Sequence, residues 1–97
     1  MQKVKKMKYM VKWSFEAENL DKVIELFQKS LKRSDPEKYP KGLSSNYYYH
    51  NKFEGFTVVE VENEDQIINY HLYYQPYLNS TFKSIGESVD FIKKYKK

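Results

Sequence analysis

Gly55-Phe56-Thr57-Val58-Val59-Glu60-Val61 runs directly into Glu62-Asn63-Glu64-Asp65 and then into apolar residues at helical spacing. Alternating, β-branched and aromatic positions suit a half-buried strand. An Asn ahead of acidic residues suits a helix start, because its side-chain oxygen accepts a first-turn N–H and the acids oppose the positive end of the helix dipole. Gln66, three residues after Asn63, completes an Asn form of the capping box. The stretch therefore predicts a strand entering a capped helix that runs until Pro76 interferes. On that helix Ile67, Tyr70, His71 and Tyr74 share a stripe, with Ile68 and Leu72 beside it.

An equivalent unit opens the chain. Residues 8–15, Lys-Tyr-Met-Val-Lys-Trp-Ser-Phe, alternate, and Asn19 introduces a helix carrying Leu20, Val23, Ile24, Phe27 and Leu31. Asp35-Pro36 ends it, since the residue before a proline avoids helical geometry. Between the units, the tyrosines of 43–50 predict a second strand, and 51–54 a turn into the third. Residues 81–85 predict a fourth strand, and beyond Gly86 the spacing of Val89, Ile92 and Tyr95 predicts a short terminal helix. The order β-α-β-β-α-β describes an α+β, ferredoxin-like sandwich with an antiparallel sheet, plus a C-terminal helix. Such a sandwich leaves one sheet face without helices. The expected organisation is a basic extension over 1–6, the sandwich over 7–86, and the terminal helix and lysine-rich tail over 87–97.

Composition narrows the function. A chain of 97 residues has room for one modest core. Ten Tyr and six Phe against three Gly mean that its apolar area comes largely from rings with polar ends. With no Cys, disulfides, thiolate nucleophiles and Cys-ligated metals are excluded. Two His without a metal-ligand spacing argue against a zinc site, so neither metal nor cofactor is expected. The basic start lacks an apolar segment behind it, and no window approaches the roughly 18 apolar residues of a membrane span. A cytoplasmic protein with no membrane association is expected. The net charge of +4 lies in the tails: setting aside seven lysines (3, 5, 6, 93, 94, 96 and 97) leaves residues 7–92 at −3. Lysine tails usually act as solvated ends, which argues against nucleic acid as the partner.

The period of two assigns the faces. Tyr9, Val11, Trp13 and Phe15 form the apolar side of the first strand, and Met10, Lys12 and Ser14 the mixed side. In the third strand Thr57, Val59 and Val61 point inward, and Phe56, Val58 and Glu60 outward. With these strands as neighbours, Lys12 and Glu60 share the open face and are candidates to pair across it. The second strand adds either Tyr48 and His50 or Tyr47 and Tyr49.

Two resemblances follow from these residues. The third strand resembles the RNA-recognition-motif signature at Gly55, Phe56 and Val59. It departs from it at Glu54, Val58 and Val61, where that signature has a basic residue and two rings. Over nearly the whole chain from Met7, the run Met-x-Tyr-Met-Val-x-Trp-x-Phe, the Tyr49-His50 pair, Gly55-Phe56-x-Val-Val-Glu60 and Asn63 with Tyr70 and Tyr74 are similar to the dimeric α/β-barrel proteins. More narrowly they resemble an uncharacterised ferredoxin-like domain family among them. The resemblance implies a homodimer with open sheets face to face and a pocket between sheet and helices in each protomer. It does not imply catalysis, since that group includes cofactor-independent monooxygenases and isomerases alongside ligand-sensing domains.

The functional reading is a homodimer binding a small aromatic or apolar molecule through Lys12, Tyr48, Phe56 and Tyr74. As an enzyme it would use Glu60 or His50 to move a proton, and Lys12 to stabilise negative charge. A non-catalytic dimerisation or sensor module is the alternative, and an RNA-binding sheet face the next. Each residue also has a plain role: His50 as a hydrogen-bonding strand-end residue, Glu60 in an ion pair that fixes register, the tyrosines as core and interface rings.

Overall fold

The computed structural model describes residues 6–95; most of the basic extension and the end of the lysine-rich tail lie outside the described residues. The elements are β1 (Met7–Ser14), α1 (Leu20–Ser30), β2 (Lys41–Gly42), β3 (Tyr47–Tyr48), β4 (Glu54–Val61), α2 (Glu64–Tyr74), β5 (Asn79–Ile85) and α3 (Ser88–Tyr95). All strand pairs are antiparallel, and the order is β2-β4-β1-β5, with β3 also on β4. This α+β arrangement of one five-stranded sheet and three helices is compatible with the expected ferredoxin-like sandwich. No helix among the described residues is long and apolar enough to cross a membrane.

Of the strand expected over 43–50 only Tyr47–Tyr48 forms, and a second two-residue strand, Lys41–Gly42, lies just before the expected range. Val58 N–H donates to Ser44 Oγ at 2.9 Å, so a side-chain hydroxyl takes the place that a backbone carbonyl would hold in an unbroken ladder. Short hydroxyl side chains compete with secondary structure in this way. The helix starts also differ. Asn63 has extended backbone, its Oδ1 accepts from Gln66 N–H at 3.1 Å, and Gln66 Oε1 accepts from Glu62 N–H at 2.8 Å. Asn19 makes no such bond: a 3-10 turn over Ala17–Asn19 precedes α1, and Asn19 (φ −94°, ψ 2°) already belongs to that turn.

Only six hydrophobic side chains among the described residues are buried, and they form two clusters. Val11, Val59 and Val61 pack with Ile67, Tyr70 and Phe82 between the sheet and α2. Val23, Tyr74 and Leu78 gather Trp13, Phe15 and Leu26 between α1 and α2. At the margin of the second cluster, the Arg33 guanidinium lies 3.5 Å from the Tyr39 ring centre and 4.7 Å from that of Tyr73, while Tyr73 Oη donates to the Leu26 carbonyl. These contacts tie the end of α1 to α2 through cation–π attraction and one hydrogen bond.

Register decides the open face. Lys12 lies opposite Phe56 and Thr81, whereas Glu60 lies opposite Lys8 and Lys41. The pairing of Lys12 with Glu60 is therefore corrected: sharing a face does not make them neighbours, because four residues separate their positions along the ladder. Glu60 is instead 3.8 Å from Lys6 Nζ. Tyr47 stacks on Phe56 with ring centres 5.4 Å apart, and Tyr49 lies 6.1 Å from it, so those two tyrosines, rather than Tyr48 and His50, join the open face.

Candidate functional site

Trp13 and Gly55 are cross-strand partners on the helix side of the sheet. A Cβ on Gly55 would come 2.5 Å from the Trp13 ring and would collide with the Tyr47 carbonyl oxygen. The glycine is needed for this close approach, because it lets the indole lie flat over the strand. Phe15 then stacks on Trp13, with centres 6.0 Å apart and planes 12° from parallel. The result is an aromatic floor where β1 leaves the sheet, beside the end of α2.

On the other flank of β1, Trp13 faces Ser80 of the edge strand β5. Next to this pair lies an open cleft of about 1090 Å³ that curls around β5. Its helix-side wall includes Trp13, Ile68, His71, Leu72 and Ser80, and its open-face wall includes Lys12 and Thr81. Two polar atoms at its wall, Trp13 Nε1 and Ser80 Oγ, are buried without a hydrogen-bond partner among the described residues. Leaving such groups unpaired costs about 1–3 kcal/mol each. Burial also pushes the Tyr70 hydroxyl up to about 12. The neighbouring Ser80 hydroxyl pulls the other way, although it lies outside good hydrogen-bond geometry. Tyr74 is likewise raised by burial, opposed by the Ser30 hydroxyl.

The residues singled out from sequence fall in separate places. Lys12 and Phe56 are neighbours on the open face, and Lys12 reaches the cleft. Glu60 is on the same face but six positions beyond Glu54, or about 20 Å along the strand at about 3.4 Å per residue. His50 is at the opposite end, exposed beside the β3–β4 turn with its ring 5.4 Å from Tyr48. Tyr48 lies opposite Gly55 at the sheet margin and is largely exposed. Tyr74 is buried in the core between α1 and α2. Among the described residues no three His, Asp or Glu side chains gather as a metal site. Sequence reasoning missed the Trp13–Ser80 pair and the place of His71 on the cleft wall. The alternation of β1 placed Trp13 inward, but Ser80 acquires its position only through the β1–β5 register.

Residues 7–97 match a family described as a domain of unknown function (DUF3303). The chain belongs to that family. No curated protein matches it. In this DUF3303 domain, the match covers every element of the fold, including the cleft and both faces of the sheet.

Proposed function

We propose that this chain is a homodimeric binding protein for a small, flat aromatic molecule carrying a negative charge, held in the cleft beside β5. The observation that carries this reading is the placement of Trp13 and Lys12, consecutive residues of one strand, on the two walls of the same cleft. A ring supplies area for stacking and an exposed ammonium supplies charge recognition, the usual division of labour in a small-ligand site. His71 and Leu72 complete the wall. The open sheet face, with Met10, Phe56 and Val58 between its charged ends, is the surface that a second copy covers, in keeping with the resemblance to dimeric α/β-barrel proteins.

A sensor or binding role is favoured over catalysis because neither Glu60 nor His50 is among the residues lining the cleft. Monooxygenase or isomerase chemistry would have to use groups of the cleft itself, and turnover lost in His71→Ala with binding retained would restore the catalytic reading. One observation favours a second reading: Tyr47, Phe56 and Tyr49 form a ring platform with Lys12 alongside, as single-stranded RNA binding requires. RNA binding that falls steeply with salt would support it.

Trp13 is the only tryptophan, so its fluorescence reports the cleft directly. Titration with benzoate and larger aryl carboxylates is expected to quench it, and Lys12→Ala to weaken the anionic ligands selectively. Unchanged emission across an aryl-acid series would remove the ligand reading.

A further inference from the structure

We infer that α3 is an exchanged arm, laid by each protomer across the open sheet face of the other. The inference rests on the homodimer proposed above and goes beyond it in naming the element that covers the face: the two helices lie between the sheets, which do not meet directly as the dimeric α/β-barrel resemblance implies. Val89, Phe91, Ile92 and Tyr95 fall on one arc of α3, with Asp90, Lys93 and Lys94 on the opposite side, as the period of 3.6 requires. None of the eight residues is buried, and the four apolar ones are between 51% and 79% exposed. An isolated helix of this length is marginal in water, because propagation over two turns does not offset nucleation. Its stability therefore depends on burying the arc, and in its own chain the arc is free.

The root of α3 lies beside the open face: just after β5, Glu87 accepts from Lys8 Nζ at 2.7 Å in an exposed ion pair. The sheet face supplies what the arc lacks, a band of Met10, Val58 and Phe56 with Tyr47 stacked at its margin. The dimensions agree. Eight helical residues span about 12 Å, and four strands spaced about 4.8 Å apart span about 14 Å. The chain exposes 7950 Å², whereas a compact protein of 11.8 kDa exposes roughly 5900 Å². The seven residues outside the described ones account for up to about 1250 Å² of this surplus of about 2000 Å² at the unfolded-chain value, and the remaining roughly 750 Å² is what one protomer buries in a standard-size interface, so it points to a second copy as the occupant.

The absence of cysteine makes the test clean. Chains carrying Val58→Cys and chains carrying Ile92→Cys, of distinguishable mass, are mixed and oxidised, with the native mass of the dimer followed by light scattering. A disulfide joining the two kinds of chain is expected, since it forms only if α3 reaches the partner's sheet to within about 7 Å between Cα atoms. A stable dimer that yields only Val58→Cys self-linkage would overturn the arm exchange while leaving the dimer intact, because the sheets would then meet directly. A monomer at every concentration, with the double variant closing within one chain, would overturn both. As an independent readout, Val89→Glu with Ile92→Glu is expected to weaken the dimer at least tenfold without loss of fold, since neither side chain is buried within the protomer. A dissociation constant within twofold of the parent would count against the exchange.

Discussion

The two faces of this sheet are built from the same strands by strict alternation, yet they behave as different materials. On the helix side Val11, Val59 and Val61 are buried under α2, and Thr57 is buried against Ser44 and Ser45. On the other side Lys8, Met10, Lys12, Phe56, Val58 and Glu60 mix long stems, rings and charges, with Lys6 near Glu60 and Lys8 bound to Glu87. One face supplies the protomer's own stability, and the other is free to specify a partner. If that division is right, substitutions one residue apart on a single strand should act on different equilibria.

The sharpest test is Gly55→Val. Its side chain meets the Tyr47 carbonyl and the Trp13 ring, neither of which yields easily, and a loss of about 3 kcal/mol in urea unfolding is expected. A stability unchanged by this substitution would show that the indole does not need the bare strand. Raising the pH separates the faces next. Tyr70 is held neutral by burial, so its folded value of about 12 exceeds the ordinary 10.0. The unfolded chain therefore ionises first, and stability present below pH 10 is lost as the pH climbs toward 12, by about 3 kcal/mol. Tyr70→Phe should flatten that part of the profile, and an unaltered slope would place the tyrosine in a wetter site. Val11→Ala is expected to cost about 2 kcal/mol, whereas Val58→Ala should cost under about 1 kcal/mol in the protomer and show itself in dimer affinity. Equal losses from the two would erase the distinction between the faces. The smallest effect contrasts two helix starts. Asn63→Ala should lower the melting temperature by the equivalent of about 1 kcal/mol, and Asn19→Ala, whose side chain caps nothing, by much less.

Much of the fold was legible because alternation and capping are local. β1 and β4 carry their inward and outward sets in their own residues, and Asn63 with Gln66 announces α2. The break at Ser44 was not legible, since a serine hydroxyl replaces a ladder bond only when a particular neighbouring amide, Val58 N–H, comes within reach. The stripe of Ile67, Tyr70 and Tyr74 does face the core, but Ile68 and Leu72 stand beside it on α2, so the sequence alone did not tell a core Tyr74 from a ligand-facing one. Of the candidate site, Lys12 and Phe56 on the open face follow from the period of two, whereas the Lys12–Glu60 pairing failed because register is a property of two strands together. Ser80 entered the cleft on the same terms.

The Ser44 break has a further effect on how chains meet one another. A sheet margin normally offers a straight row of unpaired amides and carbonyls, a template for uncontrolled growth by neighbouring molecules. Here that margin is reduced to two-residue stubs, Lys41–Gly42 and Tyr47–Tyr48, interrupted where a hydroxyl already satisfies the β4 amide. Lateral fibril-like stacking along this border is thereby discouraged, and under the proposed dimer encounters between copies fall to the broad side of the sheet, where side-chain shape would select the companion.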